Sequence, residues 1–300
     1  MRVLVTGCHG FLGHHVARRL LALGHEVFGI DRIRGAMSPK RERVEEIEGR
    51  GLRFVEADLC EFERVREIVR AYRFDAIAHM AAQFAIGHRT EYIERYIGGN
   101  VRAFLNVMEA ALLAGVPRVV YASSIESSPA GKPSSLYGAT KGFNEHAAHV
   151  YSLRGVVTIG LRYGIVYGPL MRMDTATRRV IRCLAERREM KMASGFHSRK
   201  PYVYIDDAAE FTARCLSAPM PNPHVVMLLA ADDFTANLGD VIDLAAPVLG
   251  VAPRYPFGFA PSPRQVKPDL AALALAVGEL PKINLESGVP LLARWIAGAA

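Results

Sequence analysis

Val3-Leu4-Val5-Thr6-Gly7-Cys8-His9-Gly10-Phe11-Leu12-Gly13 reads as an apolar strand that runs into a glycine turn and then a helix. Leu12, Val16 and Leu20 recur on one helical face, and Gly24 supplies the stop. The glycines follow G-x-x-G-x-x-G spacing. Gly7 turns the chain after the strand, Gly10 lets backbone amides approach a pyrophosphate, and Gly13 lets the helix pack close to the sheet. The helix N-terminus at Phe11 and Leu12 then faces phosphates with partial positive charge. A glycine triplet also suits a purely structural turn, so the end of the next strand matters. There Asp31, after Val27–Ile30, can accept hydrogen bonds from a ribose hydroxyl pair. An acid at that point disfavours a 2′-phosphate and predicts NAD over NADP, while Arg32 and Arg34 beside it would suit that phosphate.

Outward from this unit, strand and helix keep alternating. Strands are expected at 52–55, 75–79, 117–122 and 156–161, with helices over 62–69, 100–114 and 137–153. Strands separated by helices pair in parallel through right-handed crossovers, so the fold class is α/β, a Rossmann-type doubly wound sheet. From about Tyr163 the pattern loosens and proline becomes frequent, with helical segments near 176–189, 206–217, 236–249 and 284–297. The expected division is a NAD-binding domain over 1–165 and a smaller, mainly substrate-binding lobe over 166–300, some of whose segments return to the core. The lobe would close over the carboxyl ends of the strands, where open α/β sheets bind ligands. Asp58-Leu59, after the third strand, is placed to flank an adenine, although Asp58 equally suits a helix N-cap. Ala81-Ala82, after the fourth, leaves room for the cofactor or simply allows close packing.

The bulk numbers fit this reading. Half of the 300 residues are apolar, enough for a full core. No run of 18 apolar residues exists, so no membrane span is expected. A strand at the very start predicts no secretory leader. Four cysteines without a C-x-x-C pair predict reduced thiols, a cytoplasmic protein and no metal site. The net charge of +7, mostly arginine, suits an anionic substrate such as a nucleoside diphosphate, or else a solvated surface. The positive charges are scattered through mixed-sign helices such as 40–48, with no basic stripe and interleaved aromatics, so no nucleic-acid partner is expected.

Tyr137 and Lys141 stand at i and i+4, on one helix face. An ammonium beside a phenol favours the phenolate and lowers its pKa. A phenolate can take the proton of a sugar hydroxyl while hydride leaves for a nicotinamide. Ser123 and Ser124 end the fifth strand at the same sheet edge, where one of them can hold the reacting oxygen.

These residues resemble the extended short-chain dehydrogenase/reductases that act as nucleotide-sugar epimerases and dehydratases, and among them the UDP-glucuronate 4-epimerases. The similarity is carried by His79-Met-Ala-Ala-Gln83, by Tyr96–Ala110 with Asn100 inside it, by Ser135-Leu-Tyr-Gly-Ala-Thr-Lys141, and by Leu161-Arg-Tyr163-Gly-Ile-Val-Tyr-Gly-Pro169. Tyr202-Val-Tyr-Ile-Asp-Asp207 and Leu285-Glu-Ser-Gly288 extend it over nearly the whole chain. The resemblance implies bound NAD, an NDP-sugar substrate with UDP favoured, and Ser124, Tyr137 and Lys141 as the acting triad. It adds Asn100 and Tyr163 to the cofactor set. It places Gln83, Ser123, Glu126, Arg172, Lys200 and Arg264 on the substrate, with Lys200 and Arg264 on the diphosphate or, equally, as surface charges. A homodimer through helices near 92–114 and 138–153 is also implied, and Phe104, Val107, Met108, Leu112, Phe143, Ala147 and Val150 supply apolar surface for it.

The departures bear on the substrate. The loop 125–136 between Ser124 and Tyr137 is short for an epimerase, which would open or reshape the site. Ile125, Glu126 and Ile165 stand where glucuronate enzymes hold the carboxylate with small hydroxyl residues. Glu126 would repel a uronate at close range. Arg172 either offsets that or is a solvated arginine. Epimerisation at C4 is the leading expectation. Dehydration and decarboxylation (motivated by Glu126) share its first oxidation, with 4,6-dehydration disfavoured by Ile125, and 4-ketoreduction with exchangeable NADPH uses the same C4 chemistry in the reducing direction. A non-catalytic NAD-binding scaffold is the alternative from another class.

Overall fold

The computed structural model describes residues 1–32, 40–84, 92–127, 135–190, 198–231, 235–255, 271–278 and 281–298. Arg34 and Arg264 lie outside the described residues. Strand β1 (Arg2–Thr6) leads through the glycine turn into α1 (Phe11–Ala22), followed by β2 (Glu26–Asp31), α2 (Lys40–Gly49), β3 (Arg53–Glu56), α3 (Phe62–Tyr72) and β4 (Ala76–His79). Next come α4 (Ile93–Tyr96), a π-helical turn (Ile97–Arg102) and α5 (Ala103–Leu113). Then β5 (Arg118–Ser124), a 3₁₀ turn (Ile125–Ser127), α6 (Leu136–Ser152) and β6 (Val157–Tyr163) complete the alternation. The remaining elements are β7 (Ile165–Tyr167), α7 (Ala176–Ala185), β8 (Tyr202–Tyr204), α8 (Ile205–Cys215), β9 (His224–Leu229), α9 (Leu238–Val248), α10 (Ala271–Val277) and α11 (Leu285–Ile296).

The main sheet runs β3-β2-β1-β4-β5-β6-β9, and every neighbouring pair is parallel. Residues alternate between its faces. Val3 and Val5 join a core with Val16 and Leu20 of α1 and Phe211 of α8, whereas Leu4 joins Val65 and Val69 of α3 and Phe104 and Met108 of α5. A third core gathers Tyr167, Val180, Ile181, Ile242, Val289 and Leu292 around the small parallel sheet β7–β8. Phe11 and Leu12 pack against that third core, so the helix after the glycine turn touches both bodies of structure.

Two expectations change. The helix expected over 100–114 starts at Ile93 and passes through the π-helical turn. Phe104, Val107 and Met108, read as surface for a partner, are fully buried against the sheet, because the face opposite α1 needs them as its cover. The exposed apolar residues of this region are instead Ile93, Ile97 and Leu113, with Phe143 and Val150 on α6. No helix among the described residues is long and apolar enough to cross a membrane.

Candidate active site

The carboxyl ends of β1, β2, β3 and β4 border a cleft of about 260 Å³, lined by Gly7, Gly10, Asp31, Arg32, Asp58, Leu59, Ala81, Ala82 and Gln83 among others. Its floor depends on missing side chains. A β-carbon on Gly7, where φ is +69°, would sit 2.7 Å from the Ala81 Cα, and one on Gly13 would sit 2.1 Å from the Gly7 carbonyl oxygen. α1 begins at Gly10 without a side-chain cap, which leaves its first-turn amides for a ligand. Asp31 is aimed by backbone. Its Oδ2 accepts the His9 amide at 3.0 Å and its Oδ1 the Arg32 amide at 2.7 Å. The Arg32 side chain turns to Asp58, 3.2 Å away. Burial resists ionisation of Asp58, but bonds from the Cys60 amide and from Arg32 hold it below the usual carboxylate value. Asp58 is not the N-cap of α3, a position held by Glu61. Glycine floor, ribose acid and apolar Leu59 together match the donor set a dinucleotide needs. Cys8, His9 and Asp31 also bring ligand-type atoms within 4.8 Å of one another at this edge.

Several residues of the cleft, His9, Arg43 and Cys60 among them, are not legible as site residues in the sequence. Arg43, taken as part of a solvated mixed-sign helix, is buried; it donates to the His9 carbonyl at 3.0 Å and to the Leu170 carbonyl at 2.7 Å, and it lines the cleft. The available signal was its place one turn before Ile47, which is buried on the same face of α2.

Beyond Gln83, where Phe84 meets the Tyr137 ring edge-on at 5.3 Å, α6 starts on a Ser135 cap that accepts the Gly138 amide, and it carries Tyr137 and Lys141 inward, both buried and neither among the residues that line the cleft. The Ser124 side chain stands close enough to the Tyr137 phenol to favour its ionisation. Lys141 Nζ donates to the Ala122 carbonyl at 2.7 Å and lies 5.7 Å from the Tyr137 ring centre. The expected lowering of the phenol pKa does not hold. Burial pushes Tyr137 above the ordinary tyrosine value, the Glu126 carboxylate pushes it the same way, and Ser124 opposes them. Burial lowers the Lys141 ammonium to about 8, with Glu145 opposing.

The strand's alternation separates the two serines. Ser123 points under α6 and hydrogen-bonds Glu145, which also accepts from Ser127 at 2.8 Å and from Arg162 at 2.9 and 2.6 Å. Ser123 is therefore tied into the framework and not turned toward a substrate. Asn100 is committed as well, because it bonds the Gln83 amide and carbonyl and the Thr140 hydroxyl. It positions Gln83, which lines the cleft while Asn100 does not. The Tyr163 hydroxyl meets Thr212 at 2.5 Å inside the core under α8 and is likewise absent from the cleft. Glu126 accepts from Ser135 at 2.7 Å and faces Lys200 at 3.9 Å. Arg172 forms a two-pronged pair with Asp174 at 3.0 and 2.6 Å.

The family model described as NAD dependent epimerase/dehydratase matches residues 3–228. UDP-glucuronate 4-epimerase 4 of Arabidopsis thaliana is 32% identical over 72% of this chain, which spans about half (53%) of that longer protein. A solved UDP-glucose 4-epimerase of Thermus thermophilus, in complex with NAD, superposes over the full length of both chains with a TM-score of 0.82 and 28% identity. The UDP-glucuronic acid 4-epimerase of Bacillus cereus, solved with UDP-glucuronic acid and NAD, has a TM-score of 0.86 over both full chains at 23% identity, a likeness of fold.

Proposed function

The chain belongs to the NAD-dependent epimerase/dehydratase family, and on that footing we propose that it is an isomerase inverting C4 of a UDP-hexose or UDP-uronate through a transient 4-keto sugar. The observation that carries this reading is the buried Tyr137 phenol with Ser124 acting on it and Lys141 anchored beside it, reached past Phe84 from a cleft with a glycine floor. When bound, NAD supplies acceptance and return of hydride at C4. The chain's residues handle the proton. Tyr137 Oη, ionised as the phenolate, takes it from the C4 hydroxyl to become the phenol and later returns it, and Ser124 Oγ holds the reacting oxygen in place. Lys141 Nζ, anchored on the Ala122 carbonyl, keeps a positive charge behind the phenol and favours the phenolate as it forms. Burial excludes water from the keto sugar. The relatives named for UDP-sugar 4-epimerisation support the choice of reaction. Purified protein incubated with UDP-glucose, UDP-galactose, UDP-glucuronate and UDP-galacturonate, and followed by NMR, is expected to form the 4-epimer of at least one. No epimer from any of them overturns the reading.

We further propose that residues 1–165 hold the cofactor and 166–300 mainly the substrate, with α8 and β9 serving the main sheet. Lys200 and Arg264 are proposed diphosphate contacts. The exposed Ile93, Ile97, Phe143 and Val150 support a homodimer through α4 and α6. Four cysteines outside any disulfide support a reducing, cytoplasmic location.

A further inference from the structure

We infer that the chain prefers neutral UDP-hexoses to UDP-uronates, and that Glu126 sets the preference. This rests on the C4 reading above. The backbone fixes Glu126 beside the reacting groups. Its amide donates to Ser124 Oγ at 3.1 Å, and its carbonyl oxygen lies so close to Gly138 that a β-carbon there would approach within 2.2 Å. Its carboxylate is aimed by the Ser135 hydroxyl. The charge of Glu126 is felt at the Tyr137 hydroxyl, so its negative field reaches the place where C4 must sit. In a uronate the carboxylate is two bonds from C4 and would enter that field.

Among the described residues, the two cations assigned to the substrate are already answered by acids. Lys200 Nζ lies 3.9 Å from Glu126, on a backbone fixed by paired 2.9 Å bonds to Ala236. Arg172 is clasped by Asp174. A uronate would have to pull one of these cations from its partner, whereas a neutral hydroxymethyl group would not.

The test measures kcat/KM and, by calorimetry, affinity for UDP-glucose and UDP-glucuronate with the wild type, Glu126→Gln and Lys200→Gln. The wild type is expected to favour the neutral sugar about tenfold or more. Glu126→Gln should raise the uronate-to-hexose ratio about tenfold, and Lys200→Gln, which strips the glutamate of its counter-charge, should lower it. Should Glu126→Gln fail to fold, the Lys200→Gln ratio decides. Equal or better binding of the uronate by the wild type, or a ratio unmoved by both variants, overturns the inference. Loss of the C4 reading shows separately, as absence of turnover for either sugar, and in that case the two affinities still decide the charge preference.

Discussion

At the glycine loop a methyl group is the intruder; around Ser124 and Tyr137 the danger is a missing partner. The first side is made of backbone. Its clearances are carbonyl oxygens and α-carbons of Gly7 and Ala81, and Asp31 is aimed by the amides of His9 and Arg32. The second side is made of side chains drawn from remote elements: Glu145 with Ser123, Ser127 and Arg162, Asn100 with Gln83 and Thr140, Glu126 with Ser135 and Lys200. The glycine turn of the first arrangement is written in the consecutive residues Val3–Gly13. The second exists only after the chain has folded.

This contrast predicts separable failures. The largest is Tyr137→Phe, which should lower kcat about a thousandfold while NAD affinity, read by calorimetry, stays near that of the parent. A parallel loss of cofactor would mean the two sides are one unit. Next is Gly13→Ala, where the added carbon meets the Gly7 carbonyl. It should cost about 3 kcal/mol in denaturant unfolding and weaken NAD binding, and a variant as stable as the parent would show that the loop can relax. The mildest, near neutrality, is a response to acid at the junction of α1 and α2. Burial lowers His14 to about 4, with Glu46 opposing, and His15 to about 3, with the Phe11 carbonyl opposing. Both are neutral in the fold and ordinary in the unfolded chain, so their contribution is complete above about pH 6.5. It declines as pH falls toward 4 and then 3, because the unfolded chain binds the protons first. A Tm unchanged between pH 7 and 4.5 would remove these histidines from the account.

The sequence was most legible where function is local. The glycine turn, Asp31 at the end of β2, and the strand–helix alternation all follow from spacing and polarity, and they put the cleft where it lies. Legibility ended where a side chain's role depends on what folds over it. Ser123 and Ser124 look alike in the chain, yet pleating sends one to Glu145 and the other to Tyr137. Asn100 and Tyr163 carry polar groups suited to a ligand, but Gln83 and Thr212 take them. Arg43 sits among charges and still folds inward. Tyr137 and Lys141 share a face as the spacing requires, but the desolvation that raises the phenol could not be read from an i, i+4 pair.

The turn at Ile97–Arg102 has a consequence for the helix beyond it. A widened turn holds one residue more than an α-helical turn, and each residue rotates a helix by about 100°. Ile93 before it and Ile97 at its first residue therefore face solvent, while Phe104 and Met108 dock on the sheet after it. Within one run of chain the turn works as a frame shift, handing the greasy stripe from the outside to the inside, so that removing a single residue there would swing the docked aromatic out toward water.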